Sequence, residues 1–187
     1  MIIAYACLLL ALLAAMLPGS RPGQLAAVRL RHLWLVWAAL AVQVLVISVL
    51  PDIDGLSESV HLLSYLLAGA FAVANRRLPG AVVISVGGAS NLTAIAANGG
   101  TMPASPRALA ASGWTASPDH FANSAALSDA RLAALGDVFS TPAWLPVHSV
   151  FSIGDVAIVI GFAVFLQRTV RPTAQAQPAA AIGAGSS

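Results

Sequence analysis

Val147–Leu166 reads VHSVFSIGDVAIVIGFAVFL, an apolar run of 20 residues interrupted by a single carboxylate, Asp155. A run of this length and composition is a transmembrane-helix candidate. An ionised side chain inside such a helix costs roughly 2.5–3.5 kcal/mol on insertion scales, so it is rarely left without a partner. The rest of the chain reads outward from this segment. Of its 187 residues, 58% are hydrophobic and 9% charged, and the mean hydropathy is +0.84. A soluble domain carries about 25% charged residues. The composition therefore points to lipid as the main solvent and to a single all-α membrane domain.

Four further apolar runs precede this one. The expected spans are about 2–17, 33–50, 60–75, 81–98 and 147–167, within one membrane domain over 1–171. No basic residue precedes Ile2, so the first run is expected to be an uncleaved helix rather than a signal peptide. Trp34 and Trp37 suit interfacial anchoring of the second span, and Gln43 suits a hydrogen bond between helices. The Ala68-Gly69-Ala70 patch of the third span fits close helix packing, as do Gly87, Gly88 and Ser90 of the fourth. Asn91 and Thr93 need partners if they lie in lipid.

Residues 99–146 form the long extramembrane piece, opened by the turn pair Gly99-Gly100 and punctuated by prolines. Ser105-Pro106 is expected to start one short helix. Asn123 is expected to cap another running to about Leu135, with Leu127, Leu132 and Leu135 as its apolar face. Trp114, Phe121, Phe139 and Trp144 suggest an ordered cap on the membrane surface. The Ala/Gly/Ser/Pro-rich tail, 172–187, has no periodicity and reads as disordered.

All 9 basic residues are arginines. Arg21, Arg29 and Arg31, then Arg76 and Arg77, then Arg168 and Arg171 fall at alternate ends of successive spans. The positive-inside rule puts these ends in the cytoplasm, with the N-terminus outside, the C-terminus inside and the cap external. This predicts a multi-pass protein of the bacterial cytoplasmic membrane. Dispersed arginines argue against a nucleic-acid partner. A lone cysteine, Cys7, excludes an internal disulfide and a cysteine metal site.

Two acids carry the chemistry open to the chain. Asp137, in LGDVF, and Asp155 are eighteen residues apart with Pro142 and Pro146 between them. If the chain folds back, the two form an aspartyl dyad in which one carboxyl holds a proton while the other activates water. The alternative is structural: Asp155 hydrogen-bonds Asn91 or Ser90, and Asp137 caps a turn. With the last helix entering lipid near Val150, Asp155 would lie roughly 8 Å deep at about 1.5 Å per residue. A polar pocket lined by Asn91, Asn98, Asp137, His148 and Asp155 is expected there, with Ser152 as a further binding residue. No metal and no cofactor are expected, because His148, His120 and the two acids lack the i, i+4 spacing of paired ligands. The expected partners are a membrane lipid, a lipid-linked ligand or a membrane protein. The leading reading is a non-catalytic binding or accessory subunit, and the second is an intramembrane aspartyl hydrolase.

Two resemblances bear on these readings. NRRLPG at Asn75–Gly80, AANGGTMP at Ala96–Pro103, LGDVF at Leu135–Phe139 and SIGDV at Ser152–Val156 resemble a family of small bacterial integral membrane proteins known only as a domain of unknown function. Gly87-Gly88-Ala89-Ser90-Asn91-Leu92, Asp137 in LGDVF and FSIGD at Phe151–Asp155 are distantly similar to lipoprotein signal peptidase, the type II enzyme. That likeness implies catalytic roles for Asp137 and Asp155. The chain departs from that pattern at Thr93-Ala94-Ile95, which replaces an Asp-Arg pair, and at Ser152, which replaces an Asn.

Overall fold

The computed structural model describes residues 2–49, 56–113, 124–142 and 144–171, and it is mostly helical. Five long helices occupy the expected runs: α1 (Ile2–Met16), α3 (Trp34–Val49), α4 (Leu56–Ala74), α5 (Ala81–Ala97) and α7 (Ile153–Val170). A single turn, α2 (Gly23–Ala26), lies in the first loop, and α6 (Pro106–Ser112) belongs to the cap. Among the described residues, α7 alone is long and apolar enough to cross a membrane; shorter apolar helices cover Tyr5–Met16, Leu62–Ala74 and Ala81–Ala97.

The helices pack in succession, α3 on α4, α4 on α5, α5 on α7 and α7 on α1. The N-terminal helix thus closes on the C-terminal one. A cluster of Ala14, Leu166 and Val170, supported by Leu10, Leu25, Phe162 and Phe165, holds that contact.

The closest pairing is between α5 and α7, and glycine makes it possible. A Cβ on Gly161 would come within 2.8 Å of the Gly80 carbonyl oxygen, and one on Gly154 within 2.6 Å of that of Gly87. Gly80 and Gly87 on one side face Gly161 and Gly154 on the other, so the helices run antiparallel with matched seven-residue spacings. Seven residues is about two helical turns, which returns both glycines to the same face. Gly80 also adopts φ +75, turning the chain into α5.

The loops at the arginine-bearing end are tied together. The Asn75 carboxamide accepts from Arg31 N–H at 2.9 Å and donates to its carbonyl at 2.9 Å. Arg21 N–H donates to the Val170 carbonyl at 2.9 Å. These contacts bring the loops bearing Arg21, Arg31, Arg76, Arg77 and Arg171 to one end of the helix row.

The opposite end carries the cap. The Gly99-Gly100 turn forms, with φ +65 and +94, and α6 starts with Pro106 in its first turn, both as expected. Two small sheets follow: β1 (Met102–Pro103) pairs parallel with β2 (Ser124–Ala125), and β3 (Phe139–Ser140) pairs antiparallel with β4 (Val150–Phe151).

Three boundaries differ from expectation. The helix anticipated up to Leu135 is replaced by β2, by Leu132 at φ +52 and by a 3-10 turn at Ala133–Leu135. A leucine in the left-handed region breaks an α-helix, and Leu132 is also exposed rather than core-facing. The third helix begins earlier, at Leu56 rather than Val60. The last begins at Ile153, since Val150 and Phe151 are taken up by β4. Trp114, His120, Phe121, Asn123, residues 51–55 and the tail lie outside the described residues, as do the side chains of Gln43 and His61.

Candidate functional site

Where α7 meets α5, three of the expected residues converge. Ser152 caps α7: its Oγ accepts from Asp155 N–H at 3.0 Å, while Ser152 N–H donates to Asp155 Oδ2 at 3.0 Å. This reciprocal capping box satisfies two donors that a helix start leaves unpaired. Asn91, on α5, closes the circuit. Its Nδ2 donates to Asp155 Oδ1 at 2.6 Å, and its Oδ1 accepts from Ser152 Oγ at 2.8 Å. Ser152 is fully buried. The backbone contact of Gly87 with Gly154 lies one turn away and sets the spacing at which the short Asn91 side chain reaches across.

Asp155 therefore stands in the first turn of its helix rather than several residues inside it. The sequence signal was the pattern Ser152-Ile153-Gly154-Asp155, a capping box written as S-x-x-D. Asn91, not Ser90, is its partner across the helix pair. The Ser90 hydroxyl is buried with no hydrogen-bond partner among the described residues.

Asp137 is placed by the cap. Its backbone bridges to Ala104: the N–H donates to the Pro103 carbonyl at 2.8 Å, and the carbonyl accepts from Ser105 N–H at 3.0 Å. Its side chain is buried, and Oδ2 accepts from Ser124 Oγ at 2.6 Å. Burial pushes the Asp137 carboxyl above its ordinary range, with Asp155 raising it further and the Ser124 hydrogen bond partly opposing both. Asp155 thus acts on Asp137 through its charge, while the hydrogen bonds described for the two carboxylates go to different groups.

Tyr65, on α4, stands in the field of both carboxylates and packs against the cluster of Ala94, Ile95 and Met102. Neither Tyr65 nor Ser124 was legible as a neighbour of the acids: Tyr65 arrives from a distant helix, and Ser124 is placed by its parallel pairing with Met102, which no local pattern marks.

Asn98 and His148 are used elsewhere. The Asn98 carboxamide accepts from Arg131 N–H at 2.8 Å and donates to its carbonyl at 2.7 Å, pinning the cap to the end of α5. His148 Nδ1 lies 2.7 Å from the Ser112 carbonyl, fastening the chain before β4 to α6. The five residues of the expected pocket are therefore divided: Asn91 and Asp155 join Ser152 in a latch, Asp137 is a buried acid, and Asn98 and His148 are cap fasteners. Among the described residues no three His, Cys, Asp or Glu side chains converge as a metal site would require. On its α1 side, Asp155 borders an apolar groove formed with Ile3, Ala6, Phe151, Val156, Val159 and Ile160.

No curated protein and no solved structure matches the chain. The likeness to lipoprotein signal peptidase consequently rests on its short motifs alone. Residues 27–167, a range containing all four of the motifs NRRLPG, AANGGTMP, LGDVF and SIGDV, match a family of unknown function. The chain belongs to that family, DUF5317.

Proposed function

We propose that this protein is a multi-pass component of the bacterial cytoplasmic membrane that binds a lipid-linked ligand or a membrane partner and has no catalytic role of its own. Five helices, α1, α3, α4, α5 and α7, cross the bilayer, with the arginine-bearing loops and C-terminus inside and the N-terminus and cap outside. Several features support the membrane reading. Leu8, Leu9 and Leu12 of α1, Trp34 and Trp37 of α3, Leu66 and Val73 of α4, and Val82 and Val86 of α5 are all exposed. Exposed large apolar side chains recurring on four helices are what a lipid environment, rather than water, accommodates.

The single observation behind the non-catalytic reading is the engagement of Asp155. Both carboxylate oxygens are held, one by Asn91 and one by the Ser152 backbone, so the group acts as a clamp between two helices. An aspartyl hydrolase is the second reading, favoured by the burial of the Asp137 carboxyl, which lifts it above its ordinary range.

Purification from membranes in mild detergent separates the two. The binding reading expects a lipid or protein that co-elutes equally with the wild type, Asp137→Asn and Asp155→Asn. An uncleaved substrate that accumulates only on the two Asn variants would contradict it and support hydrolysis.

A further inference from the structure

The segment between the two acids contains no formal charge from Val138 to Gly154. It is built as a closed hairpin. Phe139 pairs with Phe151 across β3 and β4, and the two rings stack at 5.5 Å between centroids. Buried Thr141 closes the loop: its Oγ1 donates to the Val147 carbonyl at 2.8 Å and accepts from Ser149 N–H at 3.0 Å, while its own N–H donates to the Ser149 carbonyl at 2.9 Å. Leu145 N–H donates to the Pro142 carbonyl at 3.0 Å. Pro142 and Pro146 bring no N–H at all. The hairpin thus pairs much of its own backbone polarity, which is the condition for leaving water.

Several apolar side chains of the hairpin and its base are nevertheless exposed. Trp144 is 81% exposed near the tip, and Phe139 is 42%, Val138 38% and Ile153 47% exposed around the base. The base runs directly into α7, the helix best suited to cross a bilayer.

We propose that the 139–151 hairpin is a membrane-interface anchor, with Trp144 seated among the lipid headgroups and upper acyl chains of the outer leaflet. Tryptophan suits this zone because its ring is apolar and its indole N–H still meets water. With no Asp, Glu, Lys or Arg in the hairpin, the contact does not rely on ion pairing with lipid headgroups. Through β4 and Ser152, the anchor fixes the depth of the Asp155 latch at the lipid–water boundary. This inference rests on the membrane reading above.

The test uses full-length protein in phosphatidylcholine vesicles whose acyl chains carry bromine at shallow or deep positions. One variant retains only Trp144 (Trp34, Trp37 and Trp114→Phe); a second retains only Trp37. Trp144 emission is expected to fall about twofold with shallow bromine and less with deep bromine, as for an interfacial aromatic. Trp37 quenched with Trp144 unquenched overturns the hairpin anchor and leaves the membrane reading standing. Neither quenched, with protein released by alkaline carbonate, overturns both. A second measurement guards against misfolding of the triple variants: in a Cys7→Ser background, Trp144→Cys is expected to react with a charged maleimide at least about tenfold more slowly than Arg131→Cys. Equal rates overturn the anchor.

Discussion

The glycines shared by α5 and α7 and the small-residue patch of α4 look alike in sequence and behave oppositely in the fold. Gly87 and Gly154 face each other so closely that neither position has room for a Cβ, whereas a Cβ on Gly69 would meet nothing within 4 Å. Ala68, Gly69 and Ala70 are all exposed. Small residues permit two helices to approach; they do not supply the second helix. What distinguishes the α5/α7 seam is reciprocity, since Gly80 and Gly87, at the start of α5 and within it, match Gly161 and Gly154 of α7 at the same spacing. A polar latch, Asn91 with Ser152 and Asp155, then fixes the register. Among the described residues the α4 patch has no such match.

The comparison breaks first at the glycines. Gly154→Leu forces a side chain into the Asn91 carboxamide and the Gly87 backbone and is expected to cost about 3 kcal/mol, the upper end for overpacking. Gly69→Leu is expected to stay within about 0.5 kcal/mol, as exposed substitutions do. Thermal unfolding of both variants in detergent checks the contrast; equal losses would mean the α4 patch is also buried.

The latch comes next. Asn91→Ala removes the donor to Asp155 Oδ1 and the acceptor of Ser152 Oγ together, and is expected to cost about 2 kcal/mol because a part-buried carboxylate loses its partner. Ser152→Ala removes the helix cap and should cost about 1 kcal/mol. A cost for Asn91→Ala below that for Ser152→Ala would show that the capping box, not the interhelical bond, dominates.

The smallest effect concerns the cap. Because Asp137 is raised above its ordinary value in the fold, the folded protein binds more protons at this site than the unfolded chain does. Its contribution to stability is therefore fully present in acid and is lost as pH rises from the ordinary carboxylate range through the folded value. Asp137→Asn, which still accepts from Ser124 Oγ, should flatten that part of a melting-temperature profile against pH. An unchanged profile would assign the slope to other groups.

Much of the helix row was legible in the chain. Composition and the spacing of arginines located all five long helices to within a few residues at most ends, and Gly99-Gly100 and Ser105-Pro106 marked their turn and helix start. The start of α7 was misread because an unbroken apolar run from Val147 hides the change from extended pairing to helix. That pairing depends on Phe139 and Ser140, which no local pattern identifies. In the same way, Leu127, Leu132 and Leu135 suggested a helix face, but the left-handed backbone at Leu132 follows from the tertiary course of the cap. Asn91 as the partner of Asp155 was among the expectations. The diversion of Asn98 to Arg131 and of His148 to Ser112 was not, since carboxamides and imidazoles serve loop fastening as readily as ligand binding.

The central claim is that Asn91 and Asp155 act together as a structural clamp. A double-mutant cycle on Asn91→Ala and Asp155→Ala, read by unfolding free energy in detergent, tests it most directly. A charge-assisted bond of this kind predicts a coupling energy of about 1.5–3 kcal/mol. Additive losses, with coupling indistinguishable from zero, would contradict the clamp and return Asp155 to the status of a free acid beside Asp137.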